Sequence, residues 1–344
     1  MRKEGRAIST PEPHEETAAH VGEEFAGTIA SLRSTLRETA GLGYLAHYSS
    51  GAFDFGIDRL GDPPSPGAAP PGATRRDQLR RLGRALSITV SGLDRTLQKV
   101  RTGGLIRIVL QTEQGAGFCN LVVPSELVVG SVVDHEAPEE PGHPLSQRAQ
   151  VRAADIAMAA LATQLRGRIS LGSVNPGGWE SVEVGPVLSP PRTSGAPFVT
   201  LLTDLDERTG RLMAECKRAV RAADLQLVAY CTHGEVVFVA DELGDRSLDP
   251  FFTQITVGAR RKFYLEFSRE LWALASKLNR AVSGVLGDLI LRMVLDVEQG
   301  AIYYYRLRGG DHLVGVTIDQ SRVSDTDDRM SRLALAARDV LGTG

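Results

Sequence analysis

Two aspartates one residue apart, Asp204 and Asp206, follow the apolar run of residues 198–202. Carboxylates at the end of a strand are a common place to hold a divalent metal or a general base, so this pair is the first candidate for catalysis. The same residues also read as a turn residue and a helix N-cap, because Leu212, Cys216, Ala219, Val220 and Ala223 follow at helical spacing. His135, Glu136, Glu139, Glu140 and His143 are metal-ligand types, but prolines interrupt them and nothing fixes their geometry, which favours a solvated acidic loop. Asp325, Asp327 and Asp328 fall where a last helix begins, and negative charge there is favoured by the helix dipole.

A different chemistry is offered by Tyr303, Tyr304 and Tyr305, followed by Arg306 and Arg308. Three consecutive residues of a strand alternate between its faces, so this run puts tyrosine on both sides of a sheet. Core packing accounts for those facing inward, while an outward Tyr304 or Tyr305 beside Arg306 and Arg308 suits a protein-binding hot spot or the dressing of an edge strand. Trp272, on the helix before these strands, joins the set as a docking residue, and Trp179 is a core or docking residue. Arg75, Arg76, Arg80, Arg81 and Arg84, with Arg260, Arg261 and Lys262, form two basic clusters without interleaved aromatics, which suits a solvated helix face or an acidic protein partner better than nucleic acid.

The elements that must carry these residues follow from periodicity. Val21, Phe25, Ile29, Leu32 and Leu36 mark an amphipathic helix over about residues 15–40, and the aromatics Tyr44, Tyr48, Phe53 and Phe55 behind it need a surface to bury them, on this chain or on a partner. The proline- and glycine-rich residues 63–73 read as a linker. Leu79, Leu82, Leu86, Val90, Leu93, Leu97 and Val100 give a long helix ended by Gly103-Gly104, and a hairpin over residues 106–123 follows. Val151, Ala154, Met158, Leu161 and Leu165 form another helix, followed by short strands at 169–174, 179–187 and 198–202.

A second hairpin spans residues 225–240. Phe267, Leu271, Leu274, Leu278 and Val282 line a helix face, and three strands follow at 289–298, 302–307 and 313–318, the first with one apolar and one partly wet face. A last helix starts near Ser324.

The two halves share an order of elements, and Val123-Pro124-Ser125-Glu126-Leu127 rhymes with Val239-Ala240-Asp241-Glu242-Leu243, which points to a degenerate tandem repeat able to form a groove or a pseudo-dimer. The expected fold is α+β: two tandem modules, each an antiparallel sheet packed on helices, with an N-terminal helical arm. The expected divisions are the arm at 1–62, the linker at 63–73, and modules at 74–204 and 205–344.

Composition narrows the function. The chain has 344 residues, long enough for two modest domains, and a net charge of −3 that gives no general attraction to nucleic acid or acidic membranes. Three scattered cysteines, Cys119, Cys216 and Cys231, suit a reducing compartment, and no run is apolar and long enough for a signal peptide or a membrane span, so a cytoplasmic protein is expected. There is no Gly-x-x-x-x-Gly-Lys loop, Gly-x-Gly-x-x-Gly turn, Gly-x-Ser-x-Gly elbow or His-Glu-x-x-His pair.

The segment Leu271-Trp272-Ala273-Leu274-Ala275-Ser276-Lys277-Leu278-Asn279-Arg280, followed by Gly287-Asp288-Leu289-Ile290-Leu291 and Gln299-Gly300, resembles the YbjN and type III secretion chaperone-like family over about 40 residues. That resemblance implies bacterial peptide-binding modules without catalytic residues; the third strong strand at 313–318 departs from it. Helix, two strands, helix, three strands, helix is similar instead to the order of roadblock/LC7 and longin-like folds, which implies scaffolding or regulation of small GTPases. Pairing of the third strand inside the sheet separates the two.

The expectation is a non-enzymatic, chaperone-like or adaptor protein that needs no cofactor or metal. It captures a protein or peptide segment on a sheet face or edge through Tyr303, Tyr304, Tyr305, Arg306, Arg308 and Trp272. The N-terminal helix is available for pairing with a second copy. The alternatives are a roadblock-like regulator of a small GTPase and a metal-dependent enzyme using Asp204 and Asp206.

Overall fold

The computed structural model describes residues 12–60, 74–133, 148–169, 195–287 and 289–342. The expected linker, the His135–His143 loop, the strands at 170–174 and 179–187 and Trp179 lie outside the described residues.

Twelve strands form one antiparallel sheet. The first half is built from β1 (His14–Thr17), α1 (Ala26–Glu38), β2 (Leu42–Ser49), β3 (Ala52–Asp58), α2 (Arg75–Leu97), β4 (Leu105–Gln111), β5 (Ala116–Val123), β6 (Glu126–Val132) and α3 (Ala149–Ile169). The second half repeats the order with β7 (Phe198–Leu201), α4 (Glu207–Ala219), β8 (Leu227–Thr232), β9 (Glu235–Asp241), α5 (Val257–Val282), β10 (Arg292–Val297), β11 (Gly300–Arg306), β12 (Asp311–Thr317) and α6 (Val323–Gly342).

Across the sheet the strands run β1-β3-β2-β6-β5-β4-β10-β11-β12-β8-β9-β7. From the centre outward, corresponding strands of the two halves come in the same sequence, so an approximate twofold axis passes between β4 and β10. Those strands pair antiparallel, Leu110 opposite Met293 and Arg107 opposite Asp296. The N-terminal helix α1 and the hairpin behind it are docked in cis, β2 hydrogen-bonding to β6 and Leu32 and Leu36 fully buried.

The repeat is therefore real, with a different alignment from the one the hairpin exits suggest. Hairpin β2–β3 corresponds to β8–β9, and β4–β5–β6 corresponds to β10–β11–β12. The misleading rhyme sets the β5–β6 turn beside the end of β9, two places that are not equivalent. β12 pairs with both β11 and β8, well inside the sheet, so the third strand that departs from the YbjN-like pattern is a full member of it.

Helices cover both faces. Leu79, Leu82, Leu86 and Leu93 of α2 and Phe267, Leu271 and Leu278 of α5 pack with Tyr44, Tyr48, Ile108, Met293 and Tyr304 on one face. On the other, α1, α3, α4 and α6 pack with Val109, Phe118, Val294, Tyr303 and Tyr305. Each apolar cluster runs through both halves, so the buried apolar area that stabilises one module is shared with the other.

Close approaches repeat too. A Cβ on Gly130 of β6 would lie 2.6 Å from Met158 Sδ of α3, and one on Gly315 of β12 would overlap Met330 Sδ of α6. Glycine at these positions lets each module's last helix sit directly on its last strand.

The covering helices change the reading of β10. Its expected wet face carries Arg292 and Asp296, which are 2% and 0% exposed because α3 and α6 lie over them. The first expected helix is also shorter than its periodicity. Residues His14–Thr17 form a strand, since a polar stretch with no apolar face to bury instead hydrogen-bonds the edge of β3.

Candidate protein interface

The structure takes apart the tyrosine site. Tyr303, Tyr304 and Tyr305 are all at most 1% exposed, because a sheet covered on both faces buries both sets of alternating side chains. Tyr303 Oη donates to the Val323 carbonyl at 2.7 Å and Tyr305 Oη to Asp327 Oδ1 at 2.7 Å. Burial holds both phenols well above their usual range and pushes Tyr304 up to about 12. These tyrosines fasten α6 and the core, they are not surface anchors, and among the described residues helices cover both faces of the sheet around them.

Three of the expected residues do meet. Arg306 lies over Trp272 at 5.9 Å, Trp272 stacks on the His312 ring at 5.6 Å, and Tyr304 closes the stack at 5.0 Å. Trp272 and Arg306 are half-buried and Arg308 is exposed. His312 is fully buried, and neither ring nitrogen makes a hydrogen bond. Burial pushes its pKa down to about 4, against the opposing pull of the Ser268 and Gly310 backbone.

Asp206 is the N-cap of α4, accepting from Thr209 N at 2.7 Å, and the Thr209 hydroxyl, followed by that amide, holds its carboxyl below the usual range. Asp204 is exposed beside it. Among the described residues no three His, Cys, Asp or Glu side chains converge on a metal position. Asp327, expected as dipole dressing, is instead a buried partner of Arg292.

In each basic cluster one arginine is a clamp. Asp58, the last residue of β3, accepts two hydrogen bonds from Arg76 of α2 at 2.6 and 2.9 Å. Asp241, the last residue of β9, accepts two from Arg261 of α5, both at 2.7 Å. Corresponding strand ends are thus tied to corresponding helices by the same bidentate pair.

At the seam, Arg107 of β4 donates to Asp296 of β10 at 2.6 Å and pairs with Asp155 of α3. Arg292 of β10 donates to Gln111 of β4 at 2.9 Å and pairs with Asp327 of α6. Burial works against the charge on both arginines, and the facing aspartates more than restore it. Arg260 of α5 is fully buried and donates to the carbonyls of Val100 and Arg101 at 3.3 and 3.2 Å, where the α2 helix ends and its dipole favours a cation.

A polar cluster that sequence reasoning missed sits on hairpin β2–β3. His47 Nδ1 and His20 Nε2 lie 2.7 and 2.8 Å from the Asp54 carboxylate, and Ser49 Oγ donates to it at 2.6 Å. The serine therefore faces the acid and not the imidazole, so this is a structural knot without a nucleophile–base relay. The signal for it was the Ser50-Gly51 turn, which brings His47 opposite Phe55 and so beside Asp54, the residue passed over where the register shifts.

What the fold leaves outside is the outer stripe of α2. Its N-terminus is fixed by a capping box between Thr74 and Asp77, and its leucines set its rotation on the sheet. Arg81, Arg84, Ile88, Ser91 and Arg95 then face solvent in successive turns, with Ile88 63% exposed. The corresponding helix α5 exposes mixed charges, including Lys262 paired with Glu266.

Neither a protein-family model nor a characterised protein sequence matches the chain. Among solved structures, it is similar to the gliding protein MglB from Thermus thermophilus, at 19% identity over 43% of this chain and 91% of that one, with a TM-score of 0.30. It is also similar to an MglB structure with a tetrameric arrangement, at 21% identity over 43% of this chain and 93% of that one, with a TM-score of 0.29. No helix among the described residues is long and apolar enough to cross a membrane.

Proposed function

We propose that this chain is a protein-binding scaffold of the roadblock kind that engages a small GTPase through the α2 face. The observation that carries the binding face is Ile88, 63% exposed at the centre of a stripe whose neighbours are Arg81, Arg84 and Arg95. An isolated large apolar side chain ringed by arginine is the composition of an interface anchor with a positive rim. A net charge of −3 makes this basic stripe a local feature, and it suits an acidic protein surface with an apolar recess. The partner class is supported by the order of elements in both modules, which is that of roadblock/LC7-like proteins.

The test is a photo-crosslinking residue at position 88 in the native host, followed by identification of the adduct. A single small GTPase, lost when Arg84→Glu is added, is the expected result. Crosslinks that form from other surface positions but never from position 88 overturn the choice of face, and an adduct with a protein that binds no nucleotide overturns the choice of partner.

A further inference from the structure

The two outermost strands of the sheet occupy corresponding places and are held in opposite ways. β7 presents Phe198 and Leu201, both 55% exposed, and Arg261 lies over Phe198 at 4.3 Å. β1, His-Glu-Glu-Thr, has no buried side chain. Its hold on β3 consists of four residues of ladder, from His14 opposite Asp58 to Thr17 opposite Phe55, and of charge.

The charges alternate with the strand. Glu15 reaches one face of the sheet, where Arg33 of α1 donates to it at 2.6 and 2.8 Å. Glu16 reaches the other, where Arg80 of α2 donates at 2.8 Å. Arg80 is itself held over the Phe53 ring at 4.3 Å, so its position does not depend on the strand. Residues 18–20 add the Ala18 amide to the Asp54 carbonyl at 2.7 Å and His20 to the Asp54 carboxylate. That carboxylate keeps His47 and Ser49 when His20 leaves.

We infer that the outer edge of β3 is a docking site for an extended acidic segment of a partner protein, one bearing two adjacent carboxylates, and that β1 is its intramolecular placeholder. A strand added to an edge takes its affinity from the main-chain ladder and its specificity from alternate side chains. Here the two specificity positions are an arginine on each face, which reads Glu-Glu or its equivalent in one register. Exposed ion pairs and four residues of ladder hold weakly, so β1 belongs to the first part of the molecule to open. This edge is independent of the α2 stripe, since Arg33 lies on α1 and Arg80 is committed to Glu16.

The experiment uses the full chain and a fluorescein-labelled peptide of residues 12–20. In the chain variant Glu15→Lys/Glu16→Lys the placeholder is repelled from its arginines, and both substitutions lie on exposed or half-exposed side chains that leave the core intact. This variant is expected to bind the peptide at least tenfold more tightly than the parent. Hydrogen exchange of the β3 outer amides should be fast in the variant and slowed again by the peptide. A peptide with both glutamates changed to lysine should bind only an Arg33→Glu/Arg80→Glu chain. Equal affinity of parent and variant, or equal binding of the acidic and basic peptides to the variant, overturns the inference. A parent chain that is a dimer dissolved by the peptide would seat a second copy's β1 at this edge and overturn the placeholder reading.

Discussion

Arg107 and Asp296 face each other across the seam, Nε to Oδ2 at 2.6 Å, one on each of the two strands that join the modules. Neither side chain is more than 3% exposed, and Asp155 of α3 faces the same guanidinium. Removing one partner of a buried pair strands the rest, whereas exchanging the whole group for apolar side chains is far milder. Arg107→Met, which removes the cation that Asp155 and Asp296 both face, should cost on the order of 3–5 kcal/mol in urea unfolding. Adding Asp155→Leu and Asp296→Leu should recover most of that loss.

The strand-end clamps test the repeat itself. Asp58→Ala and Asp241→Ala each remove a carboxylate bound twice by an arginine, and each should destabilise by about 2–3 kcal/mol. Because the clamps share no partner, the double variant should show the sum of the two. Thermal or urea unfolding checks this, and a marked departure from additivity would show the halves to be coupled through these ends.

Gly300 opens β11 with a φ of +101°, and a Cβ there would run into the Thr317 carbonyl. Backbone has no rotamer with which to give way. Gly300→Ala should therefore cost about 1–3 kcal/mol through strain, measured by the shift in thermal midpoint.

His312 makes stability depend on acid. Its folded pKa of about 4 lies below the ordinary 6.5, so the unfolded chain binds the proton more readily. This contribution is complete above pH 6.5 and is lost as pH falls towards 4, by up to about 3 kcal/mol. His312→Phe should flatten that part of the profile in denaturant unfolding between pH 4 and 7. An unchanged slope would assign it to other groups.

Much of the architecture could be read from spacing. The leucine stripe of α2, the helix through Phe267 and Leu278 and the three strands after it all follow apolar periods of 3.6 or 2, which record which face meets a core. The alignment of the repeat was carried by Arg107-Ile108-Val109-Leu110 and Arg292-Met293-Val294-Leu295, a shared Arg-x-Val-Leu at the seam. Arg292 fell on the face of its strand expected to be partly wet, because alternation along one strand cannot show that a helix from the same module and a strand from the other will close over it. The tyrosine run failed as a surface for the same reason. The α2 face was legible only in part: Arg81 and Arg84 stood out, but Arg76 beside them and Arg260 in the second basic cluster looked the same and turn out to be spent inside the chain.

Joining the halves through β4 and β10 in one polypeptide has a consequence for stoichiometry. Two identical subunits about a twofold axis offer a partner two equivalent approaches. Under the proposed function the composite surface is handed, because α2 exposes Ile88 among arginines while α5 exposes mixed charges, and it would admit one partner in one orientation per chain. Covalent fusion also frees that arrangement from concentration, since the two halves can never be diluted apart.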